Sequence, residues 1–131
     1  MASSPTQRTL KLLRDYGLRA DVCEKWIPQA RKRKDLFGIL DLVAIGTLDR
    51  QPVTLGVQAT SGSNHSARIS KLLEAESSAE WIAAGNRLQV ISWTKKGNRW
   101  QPRVTELVLD SDGVVVAQKK DPTHRGEQGH G

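Results

Sequence analysis

The sequence predicts an α/β fold, a central mixed sheet with helices on its faces. Three observations predict it. Apolar residues at helical spacing open the chain at about 6–16. Two apolar runs of strand length, at about 37–46 and 52–60, are separated only by the turn-like stretch Thr47-Leu-Asp-Arg-Gln51. Helical spacing returns from about residue 65 and gives way to another apolar run at 87–94.

In the first helix Leu10, Leu13 and Tyr16 share a face, and Gly17 follows as a residue able to close the helix in a left-handed conformation. Residues 20–27 read as a strand broken at Pro28, and 29–34 as a basic loop holding Arg31-Lys-Arg-Lys34. The runs 37–46 and 52–60 form a hairpin. Ser61-Gly-Ser-Asn64 is a loop with N-cap side chains. It leads into a helix at 65–75 that turns Ile69, Leu72 and Leu73 inward. A second helical piece, 78–84, stops at Gly85-Asn86. Leu88, Val90, Ile91 and Trp93 mark a buried strand, Lys95-Lys-Gly-Asn98 a turn, and 100–109 and 113–118 further strands. Residues 1–5 are expected to be flexible, 6–118 to form one domain, and the polar segment 119–131 to be disordered.

A chain of 131 residues can bury one core. Its net charge of +6 favours a polyanionic partner, nucleic acid before an anionic membrane. No apolar run approaches the roughly 18 residues that span a bilayer, and Met1-Ala-Ser-Ser-Pro-Thr6 has no signal-peptide core. Cys23 stands alone, which excludes an internal disulfide and a cysteine-rich zinc site. His65, His124 and His130 lack metal-ligand spacing. There is no P-loop, nucleophile elbow or dinucleotide-binding glycine pattern. A cytoplasmic protein fits these features.

Two polar residues interrupt the hairpin. Asp41 lies within the first apolar run and Gln58 within the second. Charges rarely sit in such runs unless they are paired or bind a metal. If Asp49 and Arg50 form a two-residue turn, Leu48 pairs with Gln51, partner numbers sum to 99, and Asp41 falls opposite Gln58 on one face with Thr60. Gly56 then opposes Val43 and leaves room for a ligand or a backbone. A carboxylate beside an amide oxygen suits Mg²⁺ or Mn²⁺, and Glu24 on the preceding strand offers a second carboxylate. With equal weight, Asp41 accepts hydrogen bonds from Gln58, Thr60 and Ser61 and only organises the sheet.

The motifs Asp35-Leu-Phe-Gly-Ile-Leu-Asp-Leu42 and Gln58-Ala-Thr-Ser61, with Asn64, Arg68 and Lys71 downstream, carry a resemblance. Over roughly 6–110 the pattern resembles the PD-(D/E)XK nuclease superfamily, and within it small phage and bacterial proteins. The resemblance implies a restriction-endonuclease-like core of order α-β-β-β-α-β and a bacterial or phage-infected cytoplasm. It implies metal-assisted hydrolysis of DNA phosphodiester bonds, with Asp41 the main ligand of Mg²⁺ or Mn²⁺ and Gln58 and Glu24 secondary ones. Gln58 and Thr60 stand where the superfamily has Glu and Lys. The missing lysine is then supplied from the following helix by Lys71, with Arg68 the other candidate. Asp35 is read as a loop or capping residue and a reserve ligand. Many members dimerise to cut both strands, so a homodimer is implied as well, although no apolar interface stripe stands out. The alternative is a nuclease-fold protein that has lost catalysis and binds DNA or another macromolecule as a regulatory module.

Basic residues extend the site. Arg31, Lys32, Arg33 and Lys34 adjoin the strand that holds Asp41, and Lys95, Lys96 and Arg99 cluster with Trp93 and Trp100. Cations beside aromatics suit phosphate contact with base stacking and read backbone, not sequence. Trp81 and Trp93 are expected in the core.

Overall fold

The computed structural model describes residues 4–120. Helix α1 (Pro5–Asp15) starts where Ser4 Oγ accepts the Gln7 N–H at 3.1 Å and proline fills the first turn. It ends at Gly17, whose φ of 89° suits glycine. Ser4 and Pro5, expected to be loose, are therefore ordered by the helix start; the expectation for residues 1–3 lies outside the described residues.

Among the described residues a six-stranded mixed sheet follows. It comprises β1 (Arg19–Val22), β4 (Leu42–Leu48), β5 (Gln51–Ser61), β6 (Arg87–Lys96), β7 (Arg99–Leu109) and β8 (Val115–Lys120), in the order β1-β4-β5-β6-β7-β8. Only the β5–β6 pairing is parallel. The connection from β5 to β6 is the crossover that parallel strands require, built from a 3₁₀ turn (Gly62–Asn64), α2 (His65–Glu74) and α3 (Glu76–Ala83). A separate two-stranded ribbon pairs β2 (Lys25–Ile27) with β3 (Lys32–Lys34).

Strand alternation divides the interior into two cores. Leu42, Ala44, Leu55, Val57 and Trp93 pack with Leu10 and Leu13 under α1. Ile39, Leu40, Leu88, Val90 and Leu107 pack with Leu72 under α2 and α3. At the end where β5 and β6 begin, Arg87 forks onto Glu106 at 2.6 and 2.8 Å, Gln89 adds a third hydrogen bond, and Asp49 reaches Arg87 at 3.3 Å. That cluster is closed on itself. The other end of the sheet is the open one.

The hairpin register is as the arithmetic demands: Leu48 pairs with Gln51, Val43 with Gly56 and Leu42 with Val57. Several expectations need correction. The strand expected at 20–27 is two short strands: the Cys23 N–H still follows the β1–β4 register to the Asp41 carbonyl at 2.8 Å, and beyond it Lys25–Ile27 leaves the sheet to pair with Lys32–Lys34. The basic loop at 29–34 closes into a ribbon in which Lys32, Arg33 and Lys34 pair with Ile27, Trp26 and Lys25. The strand expected from residue 37 starts at Leu42. Before it, Leu36 and Leu40 bond each other through both backbone groups, and Phe37 (φ 56°) and Gly38 (φ 74°) take left-handed conformations that no ladder accommodates. The space expected opposite Gly56 is filled by the Leu40 and Trp81 side chains, so it holds no ligand. Neither Ser61 nor Asn64 caps its helix through a side chain, and Leu73 is 40% exposed, not inward. Lys95 and Lys96 belong to β6, and the turn is Gly97-Asn98. The last strand runs to Lys120, so 119–120 are ordered, while 121–131 lie outside the described residues. No helix among the described residues is long and apolar enough to cross a membrane.

Candidate functional site

At the open end, three acids converge. The mutual backbone bonds of Leu36 and Leu40 close the segment between Asp35 and Asp41 into a tight turn, so its flanking aspartates stand side by side. The Cys23–Asp41 backbone bond brings in Glu24 from the link between β1 and β2. One carboxylate oxygen from each of Glu24, Asp35 and Asp41 lies within 4.8 Å of the others. The acids line a cleft of about 550 Å³ whose wall includes Thr60, Asn64, Arg33, Arg68 and Lys71. A second hollow of about 620 Å³ lies along β1 between Arg14 and Gly46, and none of the three acids reaches it.

Each acid is held differently. Asp41 is only 6% exposed, and its Oδ2 accepts the Ala59 N–H at 2.8 Å. Asp35 Oδ2 accepts from Gln58 Nε2 and from Lys71 Nζ, both at 3.1 Å. Glu24 Oε1 accepts from Arg33 at 3.3 Å. Burial, and then the hydrogen bond shared with Asp35, push the Asp41 carboxyl up to about 7. Burial pushes Asp35 the same way, but hydrogen bonds from Asp41, Gln58 and Lys71 outweigh it and hold Asp35 below the usual range. The pair therefore shares a proton near neutrality, Asp41 keeping it and Asp35 ionised. Burial and the neighbouring Asp41 and Asp35 charges push the Cys23 thiol up to about 11, so it stays protonated, donating to the Leu40 carbonyl.

Gln58 faces the α2 side with the acids, as the register required, but its amide does other work. It is fully buried; Nε2 donates to Asp35 and to the Ile39 carbonyl at 2.8 Å, and Oε1 accepts from Arg68 Nη1 at 3.0 Å. Both ends of the amide are engaged, and the carboxylate that stands beside Asp41 is that of Asp35. Asp41 also lacks the bonds expected from Gln58, Thr60 and Ser61; the Ala59 amide takes that place. Thr60 is buried and lines the cleft, and Arg68 and Lys71 both reach back from α2.

The basic residues separate. Arg33 lines the cleft, whereas Arg31, Lys32 and Lys34 are exposed on the ribbon beside it. Lys95 and Lys96 are exposed where β6 passes the end of β5. Trp93 is core and donates to Thr9 Oγ1 at 2.9 Å; Trp81 is half-buried and donates to the Arg87 carbonyl at 2.7 Å. Trp26 and Trp100 are exposed. Asp35, expected as a loop or capping residue and a reserve ligand, is one of the three clustered acids. Its signal was a second aspartate six residues before Asp41 with a glycine between, a spacing that a closed turn converts into a side-by-side pair. His65, read from the sequence only as lacking metal-ligand spacing, is wholly buried between Ser92 Oγ at 2.6 Å and Thr105 Oγ1 at 2.8 Å.

Comparisons with protein families, with curated proteins and with solved structures find no match to this chain.

Proposed function

We propose that the chain is a metal-dependent nuclease with a restriction-endonuclease-like core, hydrolysing phosphodiester bonds in DNA. One observation carries the reading: three carboxylates meet within 4.8 Å in a cleft that also holds Arg33, Arg68 and Lys71. Acids and bases interleaved in this way suit a substrate whose phosphates are negative and whose hydrolysis develops more negative charge. Within the main sheet α1 is followed by β1, β4 and β5, then by α2 and α3 and then by β6, an order that supports the reading once the separate β2–β3 ribbon is set aside as an insertion.

The donor set fits a hard divalent ion, since three carboxylates with oxygens within 4.8 Å of one another would be relieved by a cation among them. Asp41, Asp35 and Glu24 would hold Mg²⁺ or Mn²⁺, which would polarise a phosphoryl oxygen and acidify a water. The remaining chemistry belongs to the chain. Asp41 would have to be ionised to act as a ligand. Gln58 fixes Asp35 on one side and Arg68 on the other, so the acidic and basic walls keep a set spacing. Lys71, half in solvent, offers its ammonium to phosphate oxygens at the mouth. Thr60 brings a hydroxyl but no charge.

The second reading is a cleft that binds DNA without cutting it. The uncharged Thr60 and the engaged Gln58 amide favour it. A plasmid-nicking assay separates the two. Under the first reading Mg²⁺ or Mn²⁺ supports nicking, EDTA abolishes it, and Asp41→Ala lowers the rate by about a hundredfold or more, as loss of one charge-stabilising group does. Tight binding with no metal-dependent nicking in the wild type establishes the second reading and removes the first.

A further inference from the structure

We infer that the β6–β7 hairpin holds a single-stranded stretch of nucleic acid as it leaves the acidic cleft, with Trp100 as the surface on which a base stacks. The inference rests on the cleft being a nucleic-acid site and names the form of strand it takes.

The hairpin sits where such a strand must pass. β5 ends at Ser61, which lines the cleft and pairs with Trp93. β6 continues to Lys96 before β7 returns at Arg99, so the tip projects beyond the sheet end at which the cleft opens. All residues from 94 to 101 are exposed. From 94 to 103 the chain carries Lys95, Lys96, Arg99 and Arg103 and no acid. Lys96 and Arg99 are cross-strand partners on one face; Lys95 and Trp100 are partners on the other.

Helix α1 links this surface to the cleft. Pro5 and Thr6 in its first turn line the cleft, and Arg8, just beyond them, lies 3.5 Å over the Trp100 ring centroid. Lys95 Nζ is 5.9 Å from the same ring. A hollow of about 200 Å³ opens between α1 and the ring, where Lys11 is paired with Asp15. The route from acids to tryptophan therefore runs along one helix, with Arg8 as its cation at the ring and Lys11 paired to Asp15 beyond it.

Trp100 differs from its neighbour Trp93. Trp93 is buried and its indole N–H is bonded, which is what a structural tryptophan requires. Trp100 is 43% exposed; the Arg8 guanidinium covers one face of its ring, so a base would take the opposite face, with Lys95 beside it. A large exposed ring among cations is the element single-strand-binding grooves use: phosphates meet the cations and a base face meets the ring. A duplex keeps its base faces stacked inside, so the ring selects unpaired nucleotides.

The test is binding in EDTA, where cleavage plays no part. Anisotropy is read with a labelled oligothymidylate of about twelve nucleotides, with an abasic oligomer of equal length, and with duplex. Wild type is expected to prefer oligothymidylate to the abasic strand by roughly five- to a hundredfold, the range for stacking one base on an aromatic ring. Trp100→Ala should remove most of that preference and Trp100→Phe keep it, while Lys96→Ala with Arg99→Ala weakens all three ligands and lowers the salt slope. Equal binding of abasic and thymidine strands by wild type overturns the inference without need of any variant, and so does a folded Trp100→Ala that retains the preference. Base-dependent binding without nicking supports the inference while removing the nuclease reading. Nicking without base dependence does the reverse.

Discussion

Gln58 is the residue on which the geometry of the cleft turns. Its amide satisfies a carboxylate and a carbonyl through its nitrogen and a guanidinium through its oxygen, with no exposure to solvent. Glutamate in its place could keep only the Arg68 contact. Its second oxygen would face the Ile39 carbonyl and the Asp35 carboxylate, two acceptors with nothing to donate to them. Burying an unpaired acceptor against like partners costs about 1–3 kcal/mol or more. Gln58→Glu is therefore expected to lower the melting temperature by at least about 5 °C and to leave Mg²⁺ affinity by calorimetry no higher than in wild type. A stable variant with tighter metal binding would return Gln58 to the ligand role. The same local chemistry ties Arg68 to the amide oxygen, while Lys71 is paired with the Asp35 carboxylate at the mouth.

At the scale of elements, the β4–β5 hairpin sets the register that brings Asp41 beside β5. Its turn residues Asp49 and Arg50 both have left-handed backbones, with φ of 53° and 64°. Two-residue hairpin turns need this shape to match strand twist, and they favour glycine at the second position. Arg50→Gly should relieve the strain and raise stability by about 0.5–1 kcal/mol, read as a higher urea midpoint at unchanged slope. A lower midpoint would mean the turn has another conformation. This hairpin was legible in the sequence because two apolar runs flanked a five-residue gap and the polar pair tested the register. The helices were legible from their spacing, apart from their outer faces; Leu73 looked inward but lies one position past the buried stripe of Leu72. The β2–β3 ribbon was not legible, since Lys32-Arg33-Lys34 has no apolar alternation to mark it as a strand. The closed turn before Leu42 was misread because Leu36, Phe37, Ile39 and Leu40 have strand composition. Hydropathy does not register the left-handed backbone at Phe37 and Gly38, which makes the segment a turn and Asp35 a partner of Asp41.

For the whole molecule, two buried groups give the pH dependence of folding opposite signs. Burial and its bond to Asp35 raise Asp41 from an ordinary 3.8 to about 7, so the folded state holds this proton more tightly than the unfolded chain. Its contribution is full below about pH 3.8 and is lost as pH rises through 7. His65 runs the other way. Burial, with the Arg103 charge nearby, lowers it from 6.5 to about 4, so the folded state resists protonation. Its contribution is full above about pH 6.5 and is lost as pH falls through 4. Between about pH 4 and 6.5 the two slopes oppose, and wild-type stability should vary little there. His65→Gln leaves Asp41 alone, so its urea midpoint should climb steadily from pH 7 to 4. Asp41→Asn leaves His65 alone, so its midpoint should fall over the same range. The acid's penalty at high pH is also what a cation would relieve. Mg²⁺ at pH 8 should thus raise the wild-type midpoint and leave that of Asp41→Asn unchanged. If both variants show the same slope as wild type, neither group is linked to folding. If Mg²⁺ stabilises Asp41→Asn as much as wild type, the ion binds elsewhere, and the three acids are a proton-sharing cluster that holds the Asp35 turn against β5.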